Sequence, residues 1–159
     1  MRMSRNNIFL MALAAALLVS CIDINDIMGM AVTEKPPFTI TKPVVEITEL
    51  PYYFSYAGII FQIFNKSAKS ADRITVRFML FDAETHANPF IGSNVYEITW
   101  QELIPAGEYR EIVISLDKYI HIAPSDPYLI DFFYISEIHY DDGSTWRDIN
   151  GVYGERSVK

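Results

Sequence analysis

From Val44 to Asp148 the chain runs in short stretches of alternating hydrophobic and polar positions, the period of two that sends successive side chains to opposite faces of a strand. Arg73–Asp82 carries it most clearly: Ile74, Val76, Phe78 and Leu80 share one face, while Thr75, Arg77, Met79 and Phe81 share the other. The first face is expected to meet a core and the second to meet solvent in part. Gly58–Asn65 is a strand of the same kind, with Ile59, Phe61 and Ile63 in phase. Val44–Leu50, Val95–Trp100, Tyr109–Leu116 and Thr145–Asp148 add four shorter ones. Tyr128–Tyr140 is the longest, with Tyr128, Ile130, Phe132, Tyr134, Ile138 and Tyr140 expected inward and Asp131, Glu137 and His139 outward.

Turn chemistry separates these runs. Pro51 ends the first, and Asn65–Ser70 is polar. Pro105-Ala106-Gly107 suits a type I turn, and Asp142-Gly143 suits a hairpin. Ala83–Ser93 and Asp117–Pro127 read as loops. About seven short strands without a helical stretch predict an all-β fold, an immunoglobulin-like antiparallel β-sandwich over residues 44–149, with a small barrel as the alternative. Residues 150–159 are expected to form a loose, polar tail.

The other hydrophobic pattern lies at the N-terminus. Arg2 and Arg5 precede twelve uninterrupted apolar residues, Ile8–Val19. An ordinary membrane-spanning helix needs about 20, so the run has the length and order of a secretory leader. It ends Leu18-Val19-Ser20-Cys21, which resembles the lipobox of bacterial lipoproteins. That resemblance implies a signal peptide over residues 1–20, cleavage between Ser20 and Cys21, and a diacylglyceryl group on the Cys21 sulfur, with a further acyl chain usual in the family. A plain secretory leader or an uncleaved N-terminal anchor are the alternatives. Each buried methylene contributes about 0.8 kcal/mol, and two chains suffice for stable attachment. Residues 21–43 then read as the lipidated terminus and a tether. As a flexible coil it would hold the domain ~25 Å from the anchor, stiffened at its end by Pro36, Pro37 and Pro43.

Composition narrows the functional classes. Removing the leader leaves 139 residues, eleven basic and twenty acidic, a net charge of −9. A single domain of that size can bury a real core. Its acidity argues against nucleic acid, whose recognition needs basic patches. Cys21 is the sole cysteine, so the domain has no internal disulfide and its fold rests on packing.

The strands also carry a family likeness. Phe78-Met79-Leu80-Phe81-Asp82 resembles the Phe-x-Leu-Tyr-Asp signature of the FxLYD-type lipoprotein-associated domains, with Phe81 in the tyrosine place. Pro105-Ala106-Gly107-Glu108 resembles the Pro-Gly-Glu turn of bacterial immunoglobulin-like modules, and Ile59–Ser67 resembles their strand followed by Asn-x-Ser. The resemblance spans Ile59–Ser115. It implies an accessory domain of the cell envelope and transfers no catalytic residue.

The search for chemistry ends without an active site. His86, His121 and His139 stand in separate segments, far from the convergent ligand sets that hold zinc. Asp141-Asp142-Gly143-Ser144 offers hard oxygen ligands for calcium but lacks the EF-hand pattern. Ser115-Leu116-Asp117-Lys118 matches Ser-x-x-Lys without the companion motifs of the penicillin-binding enzymes. No cofactor or metal is expected. The aromatic cluster Tyr52-Tyr53-Phe54-Ser55-Tyr56 is read in two ways: Tyr52, Tyr53 and Tyr56 as a binding platform, or the rings as a cap on the core. The expectation is a non-catalytic interaction module, held at a bacterial membrane through Cys21, that contacts an envelope protein or a glycan through end loops such as Tyr52–Ala57 and Ala83–Ser93. The outer membrane is favoured where there are two. The alternatives are an accessory subunit pairing through a sheet edge and a small hydrolase of unrecognised type.

Overall fold

A computed structural model describes residues 35–154. The expected signal peptide and cleavage site, with Cys21, lie outside them. The described chain forms eight strands: β1 (Phe38–Ile40), β2 (Val44–Glu46), β3 (Gly58–Asn65), β4 (Ala71–Phe81), β5 (Val95–Trp100), β6 (Tyr109–Ser115), β7 (Leu129–Tyr140) and β8 (Thr145–Arg147). One sheet sets β1 and β2 end to end along one side of β3, with β6 on its other side. The second sheet runs β5-β4-β7-β8. All pairings are antiparallel. With β1 and β2 counted as one broken edge, this is a seven-stranded antiparallel β-sandwich. The inward faces are those the alternation assigns: Ile59, Phe61 and Ile63 from β3 face Ile74, Val76, Phe78 and Leu80 from β4.

The expected tether ends earlier than Pro43. Phe38 and Ile40 pair with Asn65 and Ile63, and Phe38 packs edge-on against Trp146 at 5.2 Å. Three residues, Thr41–Pro43, then lie opposite two of β3, because Ile40 pairs Ile63 while Val44 pairs Ile60. Pro43 has no N–H to donate, and an edge strand tolerates that. Thr41 stitches the break, donating its N–H to Gln62 O and accepting Gln62 N–H on Oγ1.

The long strand β7 departs from the expected single phase. Its core residues are Ile130, then Phe133 and Ile135, then Ile138 and Tyr140. Against β4 the register gains one residue between Arg77 and Met79 and another between Thr75 and Val76. Each extra residue on β7 is a β-bulge that switches the face. Phe132 sits at the first with φ of 47°. Ser136 sits at the second, donating its hydroxyl to Thr75 O and accepting Asp148 N–H on its carbonyl. Phe132 is therefore displaced from the central core, and Phe133 takes the inward place between Phe61 and Phe78.

The tail is held at least to Gly154. Fully buried Asp148 accepts the N–H groups of Val152 and Tyr153 on its two carboxylate oxygens. Gly151 and Gly154 lie so close to the Phe132 ring that a Cβ on either would touch it. This cover buries Tyr134, which stands outside the central cluster.

Candidate functional site

Three loops share one end of the sandwich: 51–57 before β3, 82–94 between β4 and β5, and 116–128 between β6 and β7. The chain enters at the opposite end, where Lys66 N–H bonds Pro37 O at 2.8 Å.

Loop 51–57 is fixed from both sides. Phe54 is buried at 4% exposure and lies over Gly58. Asp117 takes Ser55 N–H on Oδ2 at 2.8 Å and Tyr56 N–H on Oδ1 at 2.9 Å. Burial pushes the Asp117 carboxyl up, but the N–H groups of Ser55, Tyr56 and Ala57 and the Ser115 hydroxyl outweigh it and leave it below the ordinary carboxylate range. The cluster thus divides its roles. Phe54 caps the core, while Tyr52, Tyr53 and Tyr56 point outward, Tyr52 wholly exposed at φ of 74°.

Loop 82–94 is similarly organised. Asp82 Oδ1 accepts the N–H groups of Glu84 and Thr85 and the Thr85 hydroxyl. The Thr85 backbone bond, ahead of the others, lowers the Asp82 carboxyl. Asn88 Oδ1 accepts Phe90 N–H, and its amide donates to Gly92 O. These bonds turn Phe90 inward, 5.6 Å from Tyr96 and 5.3 Å from Tyr128 by ring centroids, and leave Ile91 fully exposed.

Between this loop and the start of β5 lies an open cleft of about 550 Å³. Phe90, Tyr96 and Tyr119 supply its aromatic lining, Ile91 and Val95 an apolar rim, and Ser93 and Glu97 its polar groups. Tyr96 and Tyr119 meet at 4.7 Å. Burial first, then neighbouring Tyr119 and Tyr128, pushes the Tyr96 phenol up to about 12, so it is a neutral hydrogen-bond donor across the physiological range. The expected contact loop Ala83–Ser93 supplies Phe90, Ile91 and Ser93 of this cleft, whereas nothing in the sequence marks Tyr96 and Tyr119. Phe90 and Tyr96 come from loop 82–94 and the strand that follows it, and Tyr119 from the loop after β6.

The remaining candidates become structural. Lys69 Nζ binds Asp142 Oδ2 at 2.7 Å and Ser144 Oγ at 2.8 Å, and Ser144 donates to Asp142 Oδ1. The Lys69 contact, ahead of those from Ser144, lowers the Asp142 carboxyl. This set ties the β7–β8 hairpin to the 66–70 turn. His139 Nδ1 lies 2.8 Å from Asp72 Oδ1 rather than joining Asp141 and Asp142. No group of three or more metal-ligating side chains assembles among the described residues. Ser115 Oγ accepts Asp117 N–H, and Lys118 Nζ lies over the Tyr119 ring.

No family model matches the chain, and no curated protein does. A crystal structure of a hypothetical protein from Peptoclostridium difficile 630 is similar in fold, with a TM-score of 0.53 at 11% identity over 74% of this chain and 89% of that one. The likeness concerns the all-β sandwich alone. Among the described residues no helix is long and apolar enough to cross a membrane.

Proposed function

We propose that this chain is a lipid-anchored protein of the bacterial cell envelope, whose sandwich is a non-catalytic binding module used through its loop end. The lipobox-like Leu18-Val19-Ser20-Cys21 supports the anchor, and the acidic charge of the rest disfavours nucleic acid as partner. One observation carries the binding half of the reading. The exposed Tyr52, Tyr53, Ile91 and Ile122 all lie on loops at the end away from where the chain enters the sandwich. Exposed aromatic and aliphatic side chains grouped on a rigid scaffold mark interaction surfaces. A module tied down at its entry end has that surface free for an envelope protein or a glycan.

The anchor is tested by intact-mass spectrometry of membrane-extracted protein, where the reading requires an acylated Cys21 terminus and a Cys21→Ser variant that leaves the membrane fraction. The surface is tested by photo-crosslinking in cells from position 52 or 91. Adducts to envelope components support the reading, and their absence from both positions rejects it. A second reading, an accessory subunit pairing through a sheet edge, is favoured by the outer side of β6, which pairs only with β3 among the described strands. It predicts crosslinks from position 109 on that strand instead.

A further inference from the structure

The β5 edge of the second sheet carries a more specific inference, which rests on the binding-module reading. β5 pairs with β4 in unbroken register, from Ile74 opposite Trp100 to Met79 opposite Val95. Backbone groups of an antiparallel strand point alternately toward and away from its neighbour. Asn94 O accepts Leu80 N–H at 3.0 Å, so Tyr96, Ile98 and Trp100 bond β4, while Val95, Glu97 and Thr99 turn their backbone groups to the edge. Ser93 Oγ takes Val95 N–H at 3.0 Å. Among the described residues the N–H and C=O groups of Glu97 and Thr99 have no partner. Their side chains lean back onto β4 and leave them bare. Glu97 Oε2 lies 3.1 Å from Arg77 Nε, and Thr99 Oγ1 lies 3.2 Å from Thr75 Oγ1. Sheet edges are commonly blunted by brevity, breaks or charge. β8 has three residues, Thr41–Pro43 break the β1–β2 edge, and β6 exposes Arg110 and Glu111. β5 has no such defence, since its one charge is matched by Arg77.

The loop-end cleft lies on this edge. Val95, Tyr96 and Glu97 all line it. Successive side chains of a strand point to opposite faces, so a cleft that touches three in a row straddles the edge. Lys118 Nζ lies 5.7 Å over the Tyr119 ring, so the apolar contact falls to Phe90, Ile91 and Val95. Ile98 and Trp100, in phase with Tyr96, are only partly buried. We propose that β5 accepts an extended, basic segment of a partner protein as an added strand, its backbone bonding Glu97 and Thr99 and an apolar side chain entering the cleft. Charge selects the partner. Pro89 borders both this cleft and a neighbouring pocket that gathers Asp82, Glu84 and Asp126. A segment running past Val95 toward loop 82–94 meets those carboxylates, and a Lys or Arg beside its apolar residue matches them. A second copy of this chain is repelled, since twenty acidic residues outnumber thirteen basic ones. A glycan offers no row of amide groups spaced to match a strand.

The test uses the full-length protein in a non-ionic detergent. The probes are labelled peptides, Lys-Thr-Phe-Thr-Val-Thr-Lys and its versions with Leu or Val in place of Phe. Affinity is followed by fluorescence anisotropy and amide exchange by NMR. At least one peptide should bind and slow exchange at Glu97 and Thr99. Thr99→Pro removes an edge N–H that the β4 ladder does not use, so it should weaken binding about 3- to 10-fold. Val95→Lys sets a cation on the exposed rim and should weaken binding as well, with an unchanged melting temperature. Glu in place of both peptide Lys residues should weaken it several-fold at low salt. Failure of all the peptides overturns the proposal, as does binding that leaves Glu97 and Thr99 exchanging freely or is indifferent to both variants. Equal binding of the Glu version overturns the basic partner. Self-association that Thr99→Pro abolishes also overturns the proposal, since the edge then serves a second copy. The broader reading fails separately, through Cys21 acylation and the crosslinks from positions 52 and 91.

Discussion

Phe54 occupies the space that a side chain on Gly58 would need: a Cβ built at Gly58 overlaps the Phe54 ring. The glycine that opens β3 is thus a seat for the aromatic plug of loop 51–57. Gly58→Ala must drive that ring out or shift the strand, and overpacking of this kind costs about 1–3 kcal/mol. Urea denaturation should show a lowered midpoint. Amide exchange should speed at Ser55, Tyr56 and Leu116, whose N–H groups tie the loop down.

Asp117 makes the same loop sensitive to acid. Its carboxyl stands below the ordinary range in the folded protein, so the folded state binds fewer protons than the unfolded state. Stability from such a group is fully present above the unfolded value of about 3.9. It is lost as pH falls through the lowered folded value. Asp82 and Asp142 are lowered too and act in the same sense. Asp117→Asn should therefore lower the denaturation midpoint at neutral pH and flatten its fall below about pH 4.

Asn65 closes the opposite end. Nearly buried, it donates its amide to Lys69 O, Ile104 O and Pro105 O, and accepts Ser67 N–H and the Ser67 hydroxyl on Oδ1. The Asn65-Lys66-Ser67 triplet has the form of a glycosylation acceptor, yet its amide is spent on these bonds. Asn65→Ala should cost about 2–4 kcal/mol, since it strands several buried partners at once. Asn65→Asp should be no better, because a carboxylate cannot donate to the three carbonyls. Denaturation midpoints of the two variants check this.

Strand alternation made the sandwich legible, and the reason is physical. β3 and β4 each bury one face only, so Ile59, Phe61, Ile74 and Phe78 declare themselves by spacing. Phe38–Ile40 escaped notice because it is three residues long and flanked by Pro37 and Pro43, and its place is decided by the β3 edge. The outward Tyr52, Tyr53 and Tyr56 could be picked out as a dense cluster, whereas of the cleft only loop Ala83–Ser93 could. Phe90, Tyr96 and Tyr119 are ordinary aromatic residues until the sandwich brings loop 82–94, β5 and loop 116–128 together. The long hold of Asp148 on Val152 and Tyr153 is equally invisible in a polar, glycine-containing tail.

β7 shows where periodicity alone misleads, and it yields the sharpest comparison. Alternation from Ile130 places Phe132 inward, but the bulge gives that place to Phe133, 1% exposed, 5.0 Å from Phe61 and 6.0 Å from Phe78. Phe133→Ala opens a cavity in the centre of the core and should cost about 3–5 kcal/mol. Phe132 lies outside that centre, against Tyr134, Gly151 and Gly154, and its backbone is held at positive φ, uncommon for a bulky residue. Phe132→Ala should cost clearly less and should act locally, speeding amide exchange at Val152 and Tyr153. A strand of unbroken phase would reverse the order, with Phe132→Ala the more damaging change. Paired urea titrations of the two variants decide between these outcomes, because the bulge alone determines which of the two adjacent rings the core cannot lose.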